Sequence, residues 1–495
     1  MYAGPRHDRD RIDGLAAFAA AAFLTGMGLV AALARVGAPD HLVEALGPLI
    51  ALVGLLVIGA LTRTARLADF LAARRAMPPL YGGLAFAATA AGSVLALAGE
   101  PGRPMPVPGA FVALGLVIAA LIVGPLLRAA NASAVSDILA TRFPIARWPL
   151  SLVLWVCGLL ATIAGLDAAV DVIVAHVGQS RRAAEIIVAI ALAVTVVPGG
   201  LKGLLWSDAA SAGGALAIAA IGSGLAWLGA GAAAPSLAWL TELQAPADAK
   251  TLLLDAAVAF GVGTFFVFLS PAIGAPPGRA MRTGLSGLLL ACLAFALGAA
   301  SLAAFGPRGA VGAPSPAVGA LVGAATWLPA LALARAGVLG ASRAAGVDLA
   351  TAYGRLAVLA SARIARARLM MLTVIAIATA ASDARLLSAS QAIVLALSLN
   401  LALVAPSLAL AAATRWRSPA AYAALAAGAT ALVELALRVG VKATAREILV
   451  SGLIAGAAAL IAGVVAGAGA AWAFGPQRRV ARADPFSDLP FEAND

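Results

Sequence analysis

What this chain can fold into is limited most by the spacing of its apolar runs. Fourteen stretches stand out: residues 15–34, 43–62, 80–99, 107–127, 148–175, 183–200, 204–231, 252–274, 283–306, 316–340, 369–384, 387–412, 419–437 and 448–474. Most come close to the roughly 20 apolar residues that a helix needs to cross the hydrocarbon core of a bilayer. The stretch 369–384 is short and is closely followed by the next. The segments between runs are brief and hold most of the charge. An all-α polytopic membrane protein of about 14 transmembrane helices is expected, with both termini on one side.

The charge distribution orients that array. Of the 34 Lys and Arg, 23 fall on the side that would hold both termini, 10 fall on the other, and Arg335 lies inside a span. Short loops rich in Lys and Arg stay on the cytoplasmic side, so both termini are expected in the cytoplasm. The same pattern accounts for the formal net charge of +11. The basic residues are scattered over loops and build no basic domain, which argues against a nucleic-acid partner. Only 12% of residues are charged, against about 25% in soluble domains. The lipid bilayer is the implied partner.

The remaining composition narrows function by exclusion. Cys157 and Cys292 both lie in apolar runs and read as small buried hydrophobes, with no disulfide or metal spacing. His7, His41 and His176 have no metal-ligand neighbours. No phosphate-binding loop, dinucleotide fingerprint or nucleophile elbow stands in a credible context. An enzyme is therefore not expected, and neither is a cofactor or a metal. Residues 15–34 are longer than the apolar core of a secretory signal and read as a retained helix. The tail 475–495 turns from basic to acidic and reads as disordered.

One turn carries more information than the others. After a long apolar run come Pro198-Gly199-Gly200, which end a helix because Pro lacks an N–H and Gly leaves the helical well. Lys202 and Trp206 suit the membrane–water interface. Ser207 and Asp208 suit the start of the next helix.

The whole turn, Gly199-Gly200-Leu201-Lys202-Gly203-Leu204-Leu205-Trp206-Ser207-Asp208, resembles the Gly-Gly-Leu-Lys-Gly-Val-x-Trp-Thr-Asp turn of the sodium:solute symporter family. Other pieces agree in order. Asp69-Phe70 through Pro78-Pro79 resembles the lead into that family's first core helix. Ser136-Asp137-Ile138-Leu139 with Arg142-Phe143 resembles a later loop. Ala341-Ser342 through Asp348-Leu349 resembles the end of the eighth core helix, and Trp416 matches a Tyr-Trp placed similarly. The resemblance covers roughly residues 43–440 and is nearest the cation/acetate branch.

This resemblance implies a leucine-transporter-type fold of two inverted five-helix repeats. They would occupy residues 80–231 and 252–412. Residues 1–79 would give a tail and two peripheral helices, and 413–474 two more. The first helix of each repeat should be broken at the midplane, where solute and ion bind. Gly82, Gly83, Gly92 and Ser93 in the first, and Gly261, Gly263, Thr264, Ser270, Pro271 and Gly274 in the second, permit this. The implied activity is secondary transport of a small solute, such as a monocarboxylate, coupled to Na+ or H+. A second reading keeps the fold and loses transport, leaving a sensor or partner subunit.

Polar residues inside the membrane are costly and mark candidate sites. Thr89, Ser93, Thr264, Ser270 and Ser342 are the candidate hydroxyl ligands. Asp167 and Asp171 share one helix face, and read either as a cation or proton path or as a hydrogen-bonded and a wet carboxylate. Asp255 reads as a helix-start carboxylate. Asp208 reads the same way, or as a gate. Arg335 falls where many sodium-coupled relatives carry an acid, and Ala332 and Leu333 stand where they carry hydroxyls. A hard cation wants oxygen ligands, so the Na+ site looks degraded there. Arg335 either supplies the ion's charge or meets an anionic solute. Otherwise it snorkels or pairs with an acid such as Asp167.

Overall fold

A computed structural model of the chain describes residues 5–98, 109–130, 134–143, 147–229, 249–276, 278–305, 316–345, 360–412, 418–439 and 445–474. The tail 475–495, most of the segment 232–251, Asp348-Leu349 and Trp416 lie outside them, as do the side chains of Asp137 and Asp255.

The described residues form helices and no strand. In order these are α1 (Pro5–Val36), α2 (Asp40–Leu61), α3 (Leu67–Ala72), α4 (Pro79–Ala98), α5 (Gly109–Ile118), α6 (Gly124–Ala129), α7 (Val135–Arg142), α8 (Arg147–Val177), α9 (Arg181–Val196) and α10 (Gly200–Gly229). They continue with α11 (Ala249–Thr264), α12 (Ser270–Gly274), α13 (Ala280–Phe305), α14 (Pro316–Arg343), α15 (Ala360–Asp383), α16 (Ala389–Leu399), α17 (Ala405–Ala412), α18 (Ser418–Val439) and α19 (Ala445–Phe474). In its described residues, every apolar run named above falls largely on a helix or a consecutive helix pair. Among the described residues nine spans are long and apolar enough to cross a bilayer, ten with one bent pair. The other four runs, on α1, α9, α13 and α18, are shorter or less apolar in their described parts.

The run 369–384 proves to be the apolar end of a longer helix, α15, which starts at Ala360. Its first turns carry Arg363, Arg366 and Arg368, which hid it from a hydropathy reading. Arg368 donates to the carbonyls of Val197 (3.2 Å), Pro198 (3.0 Å) and Thr64 (2.7 Å). It thereby caps carbonyls at the Pro198 turn, where one helix has ended. Gly200 sits at φ +57 with Phe70 against it, so a Cβ there would lie 2.5 Å from the Phe70 carbonyl. The helix after the turn begins at Gly200. Ser207 and Asp208 are thus two turns inside α10, not at its start, and both are fully buried.

The centre of the molecule is α14, buried from Ala324 onward except for partly covered Ala325, Thr326 and Gly340. It packs against α2, α4, α8 and α10. Small residues make the approach close, because lipid gives helices no hydrophobic reason to associate and van der Waals contact must do it. A Cβ on Gly165 would lie 2.4 Å from the Ala334 nitrogen, and one on Gly158 2.6 Å from that of Ala341. On the α4 side, a Cβ on Gly92 would lie 2.1 Å from the Pro329 carbonyl.

The two expected breaks come out differently. The span 252–274 is broken: Ala256–Thr264 and Phe266–Gly274 meet at 47°. Phe265 is extended (φ −72, ψ 117), a short 3-10 turn follows, and Pro271 offers no N–H to the turn before it. The rings of Phe265, Phe266 and Phe268 fill the bend, with centroids 5.3 and 5.9 Å from Phe265. The span 80–99 is not broken; α4 is helical from Pro79 to Ala98. Its alanines favour the helix. Its two hydroxyls bond back within it, Thr89 to Ala85 (3.1 Å) and Ser93 to Thr89 (2.9 Å). Cys157 is buried as expected, whereas Cys292 lies on the outward surface of α13.

Candidate functional site

The residues singled out in the sequence fall into separate groups. The first is deep in the core, between α10 and α14. Arg335 Nε donates to Asp208 Oδ1 at 2.8 Å, and both side chains are completely buried. Arg335 Nη2 donates to Ser211 Oγ at 2.7 Å, and Ser211 donates to the Ser207 carbonyl at 2.8 Å. Arg335 therefore does not snorkel, and its acid is Asp208, not Asp167. Three buried atoms here, Arg335 Nη1, Asp208 Oδ2 and Ser207 Oγ, have no protein partner. One turn away, Ala332 and Leu333 are fully buried and apolar. With Pro329 and Gly92 in backbone contact, the α4–α14 seam at this level offers no side-chain oxygen from Ala332 or Leu333.

The second group is at the bend. Thr264 donates to Phe260 O (2.8 Å) and accepts from Asn400 Nδ2 (2.8 Å). Asn400 opens a five-residue π-helical stretch, Asn400–Val404, between α16 and α17. Such stretches are frequent at functional positions. Its Oδ1 is buried without a protein partner. Asn400 was not singled out, yet a lone Asn inside the apolar run 387–412 was the available signal.

The third group lies at the end of the bundle where α8 meets α9. Arg181 pairs with Asp167, with Asp171 (2.8 Å) and with Glu185 (3.3 Å). Ser382 on α15 donates toward both Asp167 and Glu185 (3.2 Å each). Asp167 Oδ2 accepts from the backbone of Ala389, at the start of α16 (3.1 Å). Asp167 thus ties four helices together. Glu185, buried in the run 183–200, is as visible in the sequence as Asp167 and belongs to the same group.

The fourth is at the opposite end, which gathers the Arg-rich loops and is called the basic face here. A small, half-open crevice lies there, lined by Ser136, Leu154, Phe266, Ser270, Leu339 and Arg343, with Ala134, Val135, Ile273, Gly340 and Ala344. Ser270 was expected at a site; Arg343 was not. Ser342, next to it, is buried and donates to Leu339 O (2.9 Å). Arg343 also donates to the Leu71 carbonyl. Thr89 and Ser93 join none of these groups through their hydroxyl donors. No group of three or more His, Cys, Asp or Glu that could hold a metal occurs among the described residues.

No protein-family profile matches the chain, and no curated protein matches its sequence. Solved structures do match in shape. One is a Na+-coupled sialic acid symporter, solved substrate-bound in an outward-open state. It is 14% identical, covers 90% of this chain and 99% of its own, and superposes with a TM-score of 0.70. At that identity the likeness shows architecture: this is an all-helical, multi-pass membrane protein with the leucine-transporter-type fold.

Proposed function

We propose that the chain is a secondary active transporter of the cytoplasmic membrane. It moves a small solute, a monocarboxylate on the sequence resemblance, by alternating access coupled to a cation. The observation that carries this reading is the bent pair α11–α12, broken at Phe265 within a fold shared with a Na+-coupled symporter. A broken helix exposes backbone groups to a ligand at mid-membrane, and a hinge there lets one half move. In this reading residues 80–231 and 252–412 are the two inverted repeats, and the basic face is cytoplasmic.

The coupling ion is Na+ or H+. The side chains of Ala332 and Leu333 supply no oxygen, and Arg335 already neutralises Asp208, which argues against sodium at that level of α14. The same two facts favour one rival, a non-transporting relative that senses or partners. Asp208, paired as it is, would act in gating by holding α10 to α14. Asp167, held by Arg181, reads better as a structural tie than as a cation path.

Proteoliposomes separate the readings. A panel of labelled small acids is offered under an imposed Na+ or H+ gradient. Uptake that follows one gradient supports coupled transport, and uptake indifferent to both rejects coupling. No uptake of any acid favours the rival. Asp167→Asn should leave the cation dependence unchanged; a changed dependence would restore Asp167 to the ion path.

A further inference from the structure

We infer that the basic face seats an anionic phospholipid where the end of α2 and the first turns of α15 meet at the Pro198 turn. Arg368 donates to the Thr64 carbonyl at 2.7 Å, and Arg63 directly precedes Thr64. That bond sets Arg63 beside the start of α15, near enough for its charge to act on Arg368. Arg363 and Arg366 lie on the same turns of α15, at a spacing that makes them surface neighbours. Arg63, Arg363 and Arg366 are exposed, and among the described residues none of the three has an ion pair or a side-chain hydrogen bond. The acid nearest to Arg63 in sequence, Asp69 on α3, is buried and already held by Arg74 (2.6 Å) and by the Thr64 hydroxyl (3.3 Å). The guanidiniums of Arg63, Arg363, Arg366 and Arg368 therefore gather without a protein counter-charge among the described residues. Such a cluster at the end of a span attracts an anionic headgroup, and the planar fork of each Arg matches a phosphate.

The neighbouring surface identifies the anion as a lipid. Leu61, the last residue of α2, is exposed, and so are Leu369 and Leu372, which follow Arg366 along α15. The helix α9 packs against both α2 and α15, and the chain turns inward after it, with Gly200 against Phe70. Charge at the rim with apolar side chains next to it suits a molecule that carries a phosphate at one end and acyl chains at the other. A free phosphate would leave Leu61, Leu369 and Leu372 uncovered. A lipid held here relieves the repulsion among the arginines and ties α2 to α15 at the turn that Arg368 caps. The seat lies on the lipid-facing surface, apart from the polar groups inside the bundle, and it does not depend on the transporter reading.

The purified full chain is mixed in detergent with equal amounts of dioleoylphosphatidylglycerol and dioleoylphosphatidylcholine, and the lipid it retains is read by native mass spectrometry. The anionic lipid should be retained about tenfold or more over the zwitterionic one. Added salt should narrow that preference. A variant carrying Arg63→Gln, Arg363→Gln and Arg366→Gln should lose the preference. It should still fold, because none of the three side chains holds another part of the described structure. A control carrying Arg279→Gln and Arg282→Gln removes two exposed arginines at the start of α13, on the same face, and should keep the preference. Glycerophosphoglycerol, the same headgroup without acyl chains, should displace little of the bound lipid. Equal retention of the two lipids overturns the seat, as does a preference that survives in the triple variant or falls equally in the control. Displacement by glycerophosphoglycerol at the concentration of the lipid also overturns it, by making the cluster a site for a soluble anion.

Discussion

Asp208 and Arg335 form an ion pair with both side chains completely buried. Two full charges are removed from water, and each must be compensated locally or not at all. A 2.8 Å bond between them and the hydroxyl of Ser211 provide that compensation. Removing one partner strands the other, so Asp208→Leu or Arg335→Met alone should cost about 3–5 kcal/mol. The double variant, which replaces both charges with apolar groups, should be much closer to the parent. Thermal melts of the four proteins in one detergent test this; two single effects that simply add would show that the pair is not a unit. Half of this pair was legible in the sequence. A guanidinium at Arg335, in a run of Ala and Leu, has no bland place in lipid. Its partner, 127 positions earlier, reads in the sequence as a helix-start carboxylate or a gate. Nothing local says that α10 begins two turns sooner. Asn400 shows the opposite failure: its oddness was local and visible, and only the bend beside it gives that oddness a use.

Elements behave as their backbones allow. The helix α4 and the pair α11–α12 were expected to break alike, and both carry glycines. What separates them is Phe265, extended at φ −72 and ψ 117 between two helices, against a run of alanines that keeps α4 wound. In α4 the glycine serves packing. A Cβ on Gly92 would strike the Pro329 carbonyl at 2.1 Å, while one on Gly213 of α10 would meet nothing within 4 Å. Gly92→Val should therefore push α4 away from α14 and sharply lower the melting temperature and yield. Gly213→Ala should instead be neutral or stabilise by about 0.5–1 kcal/mol, the helical advantage of Ala over Gly. Size-exclusion profiles and melts of the two variants decide it, and a Gly92→Val protein as stable as the parent would refute the seam. Sequence shows a glycine; whether it bends a helix or admits a neighbour depends on what lies across from it.

At the scale of the whole molecule, lipid made the sequence easy to read. A bilayer fixes the length of what crosses it, so the apolar runs announce the helices one by one. Their assembly around α14 is not announced, because small residues, Ala above all, recur along the long helices and many pairs could pack closely. The charge asymmetry does make a global prediction. With 23 of the 34 Lys and Arg assigned to one side, a reporter fused after Asp495 that is active only in the cytoplasm should be active. A reporter active only outside would invert the array, and with it the sidedness of the crevice.

The tether between Arg335 and the chain has an electrical consequence. A free cation seated beside Asp208 would arrive from one side and leave on the other. Membrane voltage would then work on it, by about 2.3 kcal/mol for a full crossing at 100 mV. A guanidinium bonded to its own backbone never dissociates. Asp208 is balanced before any ion arrives and after every ion has gone, so the pair itself offers the membrane potential no dissociable charge to drive.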